Sequence, residues 1–170
     1  NMAQAIISVL RGEPLVYTSL RGTNLSRLSG HVELLYALLS PLWLLWADPR
    51  VFLIAQAALA ASGAIPVYRI ALRRLESRVA ARCAALIYLL YPVGQTAVLF
   101  DLHGDTLAMP LLLWAVDALD RRAHALSAFW VALALMAKVY VALPMAGIGF
   151  VFWRFAGRPR AGLAVMAASV

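Results

Sequence analysis

The arginines of this chain fall in short breaks between long apolar runs, and that placement restricts the fold more than any other property. Arg69, Arg73, Arg74, Arg78 and Arg82 form one cluster, Arg121 and Arg122 a second, and Arg154, Arg158 and Arg160 a third. Basic residues in short loops beside hydrophobic segments mark the cytoplasmic side of a membrane. The segment 92–105 has no Lys or Arg and two Asp, so it belongs on the opposite face. Hydrophobic residues make up 64% of the chain and charged ones 14%, with a mean hydropathy of +0.81. Soluble domains are about 45–50% apolar and about 25% charged, so these values describe an integral membrane protein. The net charge of +7 sits in the inter-run breaks, which argues against a nucleic-acid partner. Cys83 is the only cysteine, so no disulfide framework exists.

Taken in order, residues 1–10 place Gln4, Ser8 and Arg11 along one stripe of an apolar helix, suited to an interface or to the tail of a span. Residues 12–30 carry Pro14, Gly22, Asn24 and Gly30 without periodicity and read as a loop. The run 34–47 is interrupted by Pro41 and is about 21 Å long as a helix, short of the ~30 Å hydrocarbon core, so it is expected to be interfacial. Residues 51–72 and 79–99 are long enough to span, the second bent or ended at Tyr91-Pro92. Residues 106–119 return to the cytoplasmic arginines. Residues 123–153 hold Lys138 as their one formal charge. A single helix there would be about 46 Å long and would put arginines on opposite sides, so a hairpin turning near Lys138 is expected. Another run opens at Ala161, and the chain starts at Asn1 rather than Met, so a longer parent protein is expected.

The expected fold is therefore an all-α, polytopic transmembrane helix bundle with about five spans plus interfacial helices. It forms a single transmembrane domain over 1–170, with 1–50 an extracytoplasmic loop and 51–170 the membrane helices. The location implied is a prokaryotic plasma membrane, crossed several times, with membrane lipid as the immediate partner.

Two places carry chemistry. Asp101, His103 and Asp105 alternate, so an extended backbone would turn all three to one side, where they can bind a divalent cation or supply acid and base groups. Asp105 before an apolar run is equally an N-cap, and His103 equally a loop hydrogen-bonding group. Lys138, alone in an apolar hairpin, costs ~2.5–3.5 kcal/mol on insertion scales unless it snorkels, pairs or lines a cavity. It either reaches the outer interface or captures an anionic headgroup such as a phosphate, with Asp101 or Asp105 as its counter-ion. Tyr140, Tyr91 and Gln95 belong to the same outer region, and His31 and Glu33 open the interfacial helix toward it. Asp117 and Asp120 read as surface groups paired with Arg121 and Arg122. No P-loop, dinucleotide fingerprint, nucleophile elbow or zinc spacing is present.

The run Ser29-Gly30-His31, then Asp48-Pro49, Arg73-Arg74-Leu75, Leu89-Leu90-Tyr91-Pro92, Phe100-Asp101-Leu102-His103 and Lys138 resembles the prokaryotic membrane proteins of domain of unknown function family 2079. That family shows a Phe-x-x-His-x-Glu/Asp loop, matched by Phe100, His103 and Asp105, and a Lys-Glu-Asp after the next helix. Here Lys138 is kept while Val139 and Tyr140 replace the two acids. More distantly the layout resembles GT-C-fold glycosyltransferases of the protein mannosyltransferase and aminoarabinose transferase type. That resemblance implies a polyprenyl-phosphate-linked sugar as donor at the extracytoplasmic face, and a catalytic acid upstream of Asn1. Lys138, Tyr140 and His31 would then bind substrate, and Asp101, His103 and Asp105 would serve catalysis. The readings in competition are a transporter or flippase of a lipid-linked or anionic solute, and a non-catalytic membrane scaffold.

Overall fold

In the computed structural model, residues 2–29, 33–155, 157 and 159–169 are described. Helix α1 (Met2–Ser8) is followed by a hairpin of β1 (Val16–Thr18) and β2 (Asn24–Ser26), antiparallel with Tyr17 opposite Leu25. Gly22, at φ +77°, lies in the reversal, a backbone conformation that glycine adopts without a Cβ penalty. The loop expected over 12–30 is thus partly strand. With three residues each, these strands are too short to leave an alternating signature. The polar stripe of α1 also has another job than meeting headgroups. Gln4 donates to Thr18 Oγ1 at 2.9 Å, and the amide of Val16 donates to Ser8 Oγ at 2.7 Å, clamping the hairpin onto the helix.

Two short helices, α2 (Leu35–Leu39) and α3 (Leu42–Leu45), flank the Ser40-Pro41 break. Then come α4 (Arg50–Ser62) and α5 (Ala64–Leu75), which run on through Gly63 as one 26-residue apolar helix. At 1.5 Å per residue it is about 39 Å long, enough to cross a bilayer. Helices α6 (Arg78–Leu90) and α7 (Pro92–Phe100) meet at a bend of 42°. Pro92 supplies no amide to the ladder there and holds Tyr91 in extended backbone. Helix α8 (Gly104–Asp120) packs lengthwise against α9 (His124–Ala137). Both helices carry small buried residues, Ala108, Ala115 and Ala118 on α8 and Ala134 on α9, and Ser127 of α9 donates to the carbonyl of Ala115 at 3.0 Å across the contact. A turn at Lys138 and a tight helical turn over Val139–Val141 lead into α10 (Ala142–Arg154), which packs on α11 (Pro159–Ala167).

The five-span expectation is overturned. Among the described residues one helix, Arg50–Leu75, is long and apolar enough to cross a membrane, and the bent pair α6–α7 would make a second if it acts as one span. The reason is length. Helix α8 has 17 residues, about 25 Å, and α9 and α10 have 14 and 13, about 20 Å each. Apolar composition alone does not carry a helix across a ~30 Å core. The chain is mostly helical but, with its hairpin, not all-α, and the GT-C likeness finds no support.

Direction matters for the site. The middle of helix α4 lies beside the loop that opens α8, because Gln56 bonds to that loop. Helix α5 ends beside the C-terminus of α8, because Arg73 pairs with Asp117 and Asp120. The long helix and α8 therefore run parallel and in direct contact, and α6–α7 makes the return in the chain from one to the other. All of 98–105 lies at one end, and the Arg73 network lies at the other.

Candidate functional site at the head of the eighth helix

Gln56 organises the site. It is fully buried on α4, and each hydrogen bond of its amide goes to the last turn of α7 or to the segment joining α7 to α8. Nε2 donates to the carbonyls of Val98 at 3.1 Å and Asp101 at 2.9 Å, while Oε1 accepts from the amide of His103 at 2.9 Å. A glutamine inside an apolar helix satisfies itself this way because bare carbonyls and amides are costly away from water. Gln56 is absent from the candidates singled out above, although it is the one carboxamide side chain within the 51–72 run.

The alternation of Asp101, His103 and Asp105 does not survive. Asp101 and His103 are extended, at φ −172° and −134°, but α8 starts at Gly104, so Asp105 already lies in a helical turn. The N-cap is His103, not Asp105. Asp105 is a first-turn acid, favourably placed at the positive end of the helix dipole. Asp101 turns its carboxylate onto the amide of Leu102 at 2.7 Å. The His103 ring rests against Phe100, centroids 5.5 Å apart, and its Nδ1 is buried with no partner among the described residues.

Asp105 meets Lys138. Nζ lies 2.5 Å from Oδ2, the lysine side chain only 15% exposed and the aspartate 59%. Nζ also sits 5.0 Å from the ring centroid of Tyr140, within cation–π range. Lys138 is extended at the end of α9, so the helix stops where the cation is delivered. The close approach of α8 to α9 depends on Gly104, since a Cβ there would collide with the carbonyl oxygen of Ala137. Below the pair opens an apolar groove of about 500 Å³, lined by Tyr88, Met109, Leu112, Val116, Pro144 and Ile148 among others, with Asp105 and Tyr140 on its rim.

Behind Gly104 lies a second ion pair. Glu33 is 2% exposed and accepts from Arg27 Nε at 2.6 Å, and the Arg27 guanidinium lies over the Tyr36 ring, 5.7 Å from its centroid. Burial, then the neighbouring Glu33 carboxylate, pushes the Tyr36 phenol well above its ordinary range. His31 lies outside the described residues, and Gln95 lines a different groove, with Ala57, Ala60 and Tyr88. No three of His, Cys, Asp and Glu come together as a metal site among the described residues. At the far end, Asp117 is fully buried, not a surface group. Arg73 reaches it at 2.7 Å and Asp120 at 2.8 Å, Arg74 reaches Asp120 at 2.6 Å, and Arg121 reaches Asp117 at 3.1 Å.

Large apolar side chains stay exposed along these helices, including Ile54, Ile87, Leu90, Leu99 and Leu143. Such a surface suits lipid rather than water. The architecture is that of a helical membrane protein with a polar cluster at one end of its bundle. The family model described as "Predicted membrane protein (DUF2079)" matches residues 2–170, and the chain belongs to that family. No curated protein and no solved structure matches it.

Proposed function

We propose that this protein binds a polyprenyl-phosphate-linked sugar and takes part in glycosyl transfer at the face of a prokaryotic plasma membrane where Lys138 lies. One observation carries the reading: a partly buried lysine is tethered to Asp105 and Tyr140, both of which line an apolar groove. An amphiphile with an anionic head fits that order of surfaces, its chain in the groove and its phosphate on Nζ. A lysine engages phosphate as a compact point charge, and the low-dielectric groove strengthens the contact. Asp101 and His103, whose backbone Gln56 fixes just before Asp105, would face an acceptor.

The test is saturable binding of a polyprenyl-phosphate sugar to the full chain in nanodiscs, followed by assay of sugar release. Lys138→Met should weaken binding at least about tenfold, the loss of one charge-assisted bond, and Lys138→Arg should retain part of it. Unchanged affinity in a Lys138→Met protein that inserts normally would remove the reading.

A further inference from the structure

We propose that Asp105 exchanges partners when the ligand binds: the phosphate takes Lys138, and the freed carboxylate accepts hydrogen bonds from the sugar. The residue thereby separates the sugar-loaded carrier from the spent one. This rests on the reading of Lys138 as the phosphate-binding residue.

Three observations support it. First, the two members of the pair are unequally placed. Lys138 is largely buried and held over Tyr140, whereas Asp105 is more than half exposed and its contact with Lys138 is its one ion pair among the described residues. The aspartate is the member free to turn away. Second, Asp105 does not need Lys138 to stay ionised, because it lies in the first turn of a 17-residue helix, where the backbone dipole favours a negative charge. Third, Asp105 stands on the groove rim, so whatever is bonded to a phosphate on Nζ emerges beside it.

A carboxylate has acceptor sites for several hydroxyl groups and no proton to offer. It suits a sugar, with its array of O–H donors, and it repels a bare phosphate. In the unliganded site Asp105 neutralises Lys138, and every anion must displace it. A lipid phosphodiester carrying a sugar recovers that cost through the hydroxyls. A polyprenyl monophosphate has no hydroxyls to offer and brings more negative charge, about −1.5 to −2 near neutral pH for a phosphomonoester, against the displaced carboxylate.

The prediction is a pair of opposite changes. Affinities for a polyprenyl-phosphate sugar and for the same polyprenyl monophosphate are measured on the full chain in nanodiscs, as wild type, D105A, D105N and K138M. D105A should weaken the sugar-bearing lipid about tenfold and tighten the bare monophosphate about tenfold. D105N removes the charge but keeps an acceptor, so it should tighten the monophosphate similarly and weaken the sugar lipid less. Tighter binding of one ligand cannot come from a misfolded site, which makes the variants their own folding control. Both affinities moving in the same direction in D105A, or neither moving, would overturn the exchange while leaving Lys138's role intact. Wild-type protein that binds neither lipid, or K138M that binds both as wild type does, would instead remove the reading of Lys138 itself.

Discussion

At the scale of single residues, the contacts that hold the segment from Val98 to His103 come from a side chain without charge. Gln56 makes three hydrogen bonds that no other residue in the apolar helix could supply. Replacing it with Leu leaves two carbonyls and an amide without partners, and Gln56→Glu keeps one bond of the three. The expected loss for Gln56→Leu is about 1–3 kcal/mol, discounted because polar contacts within membranes measure low. Thermal unfolding in detergent checks the loss, and faster proteolysis within 98–103 should accompany it. Tyr36 gives a pH dependence of fixed sign. Its phenol pKa is raised in the fold by burial and by Glu33. Stability is therefore full below the ordinary value near 10 and falls as pH rises above it, because the unfolded chain ionises first. Tyr36→Phe should flatten the alkaline limb of the stability curve. A limb unchanged by that substitution would assign the effect to other groups. In the sequence, Asp101, His103 and Asp105 were conspicuous because they are ionisable. Gln56 was not, since a glutamine's worth depends on the two carbonyls and one amide it meets, which belong to a distant segment.

At the scale of elements, breaks were legible and pairings were not. Tyr91-Pro92 and the isolated Lys138 marked where α7 begins and where α9 ends, for local reasons: a missing amide and a charge that must leave an apolar run. The hairpin of β1 and β2 was illegible, because its strands are too short for a periodic signature and Gln4 and Ser8 of α1 anchor it through β1. The pairing of α5 with α8 was also hidden. Asp117 and Asp120 have arginines beside them in sequence, yet their shortest bonds go to Arg73 and Arg74, more than 40 residues away. Asp117 is fully buried while Arg73 is about one-third exposed. Removing the arginine therefore strands the costlier partner. We expect Arg73→Ala to destabilise by about 2–3 kcal/mol, below the ~3–5 kcal/mol of a fully buried pair, since Arg121 and Arg69 still approach Asp117. Asp117→Asn in the Arg73→Ala background should recover part of the loss in thermal unfolding. No recovery would mean that Arg73 acts through packing rather than charge.

At the scale of the whole molecule, apolar runs and membrane crossings are different quantities. The sequence supports an apolar surface over most of the chain, but crossing depends on unbroken helical length, and the breaks that deliver Lys138 and Asp105 shorten the helices around them. What the arginine clusters do anticipate is polarity of the bundle. Arg73 and Arg74 lie at the end of α8 carrying Asp117 and Asp120, and Lys138 lies at the other, about 25 Å away along 17 residues. If the arginine end faces the cytoplasm, as basic residues beside apolar helices do, the groove rim opens on the outer side. The chain has one native thiol, Cys83, which is exposed, so a Cys83→Ala background permits single-cysteine labelling. Asp101→Cys should react with a membrane-impermeant maleimide in intact cells, whereas Arg122→Cys should react only after permeabilisation. Labelling of both from outside would mean that the long helix Arg50–Leu75, alongside which α8 runs, does not carry its two ends to opposite aqueous faces, and that Lys138 and the arginine network share one side. The reverse pattern would invert the orientation and place the groove, with Lys138 beside it, on the cytoplasmic leaflet.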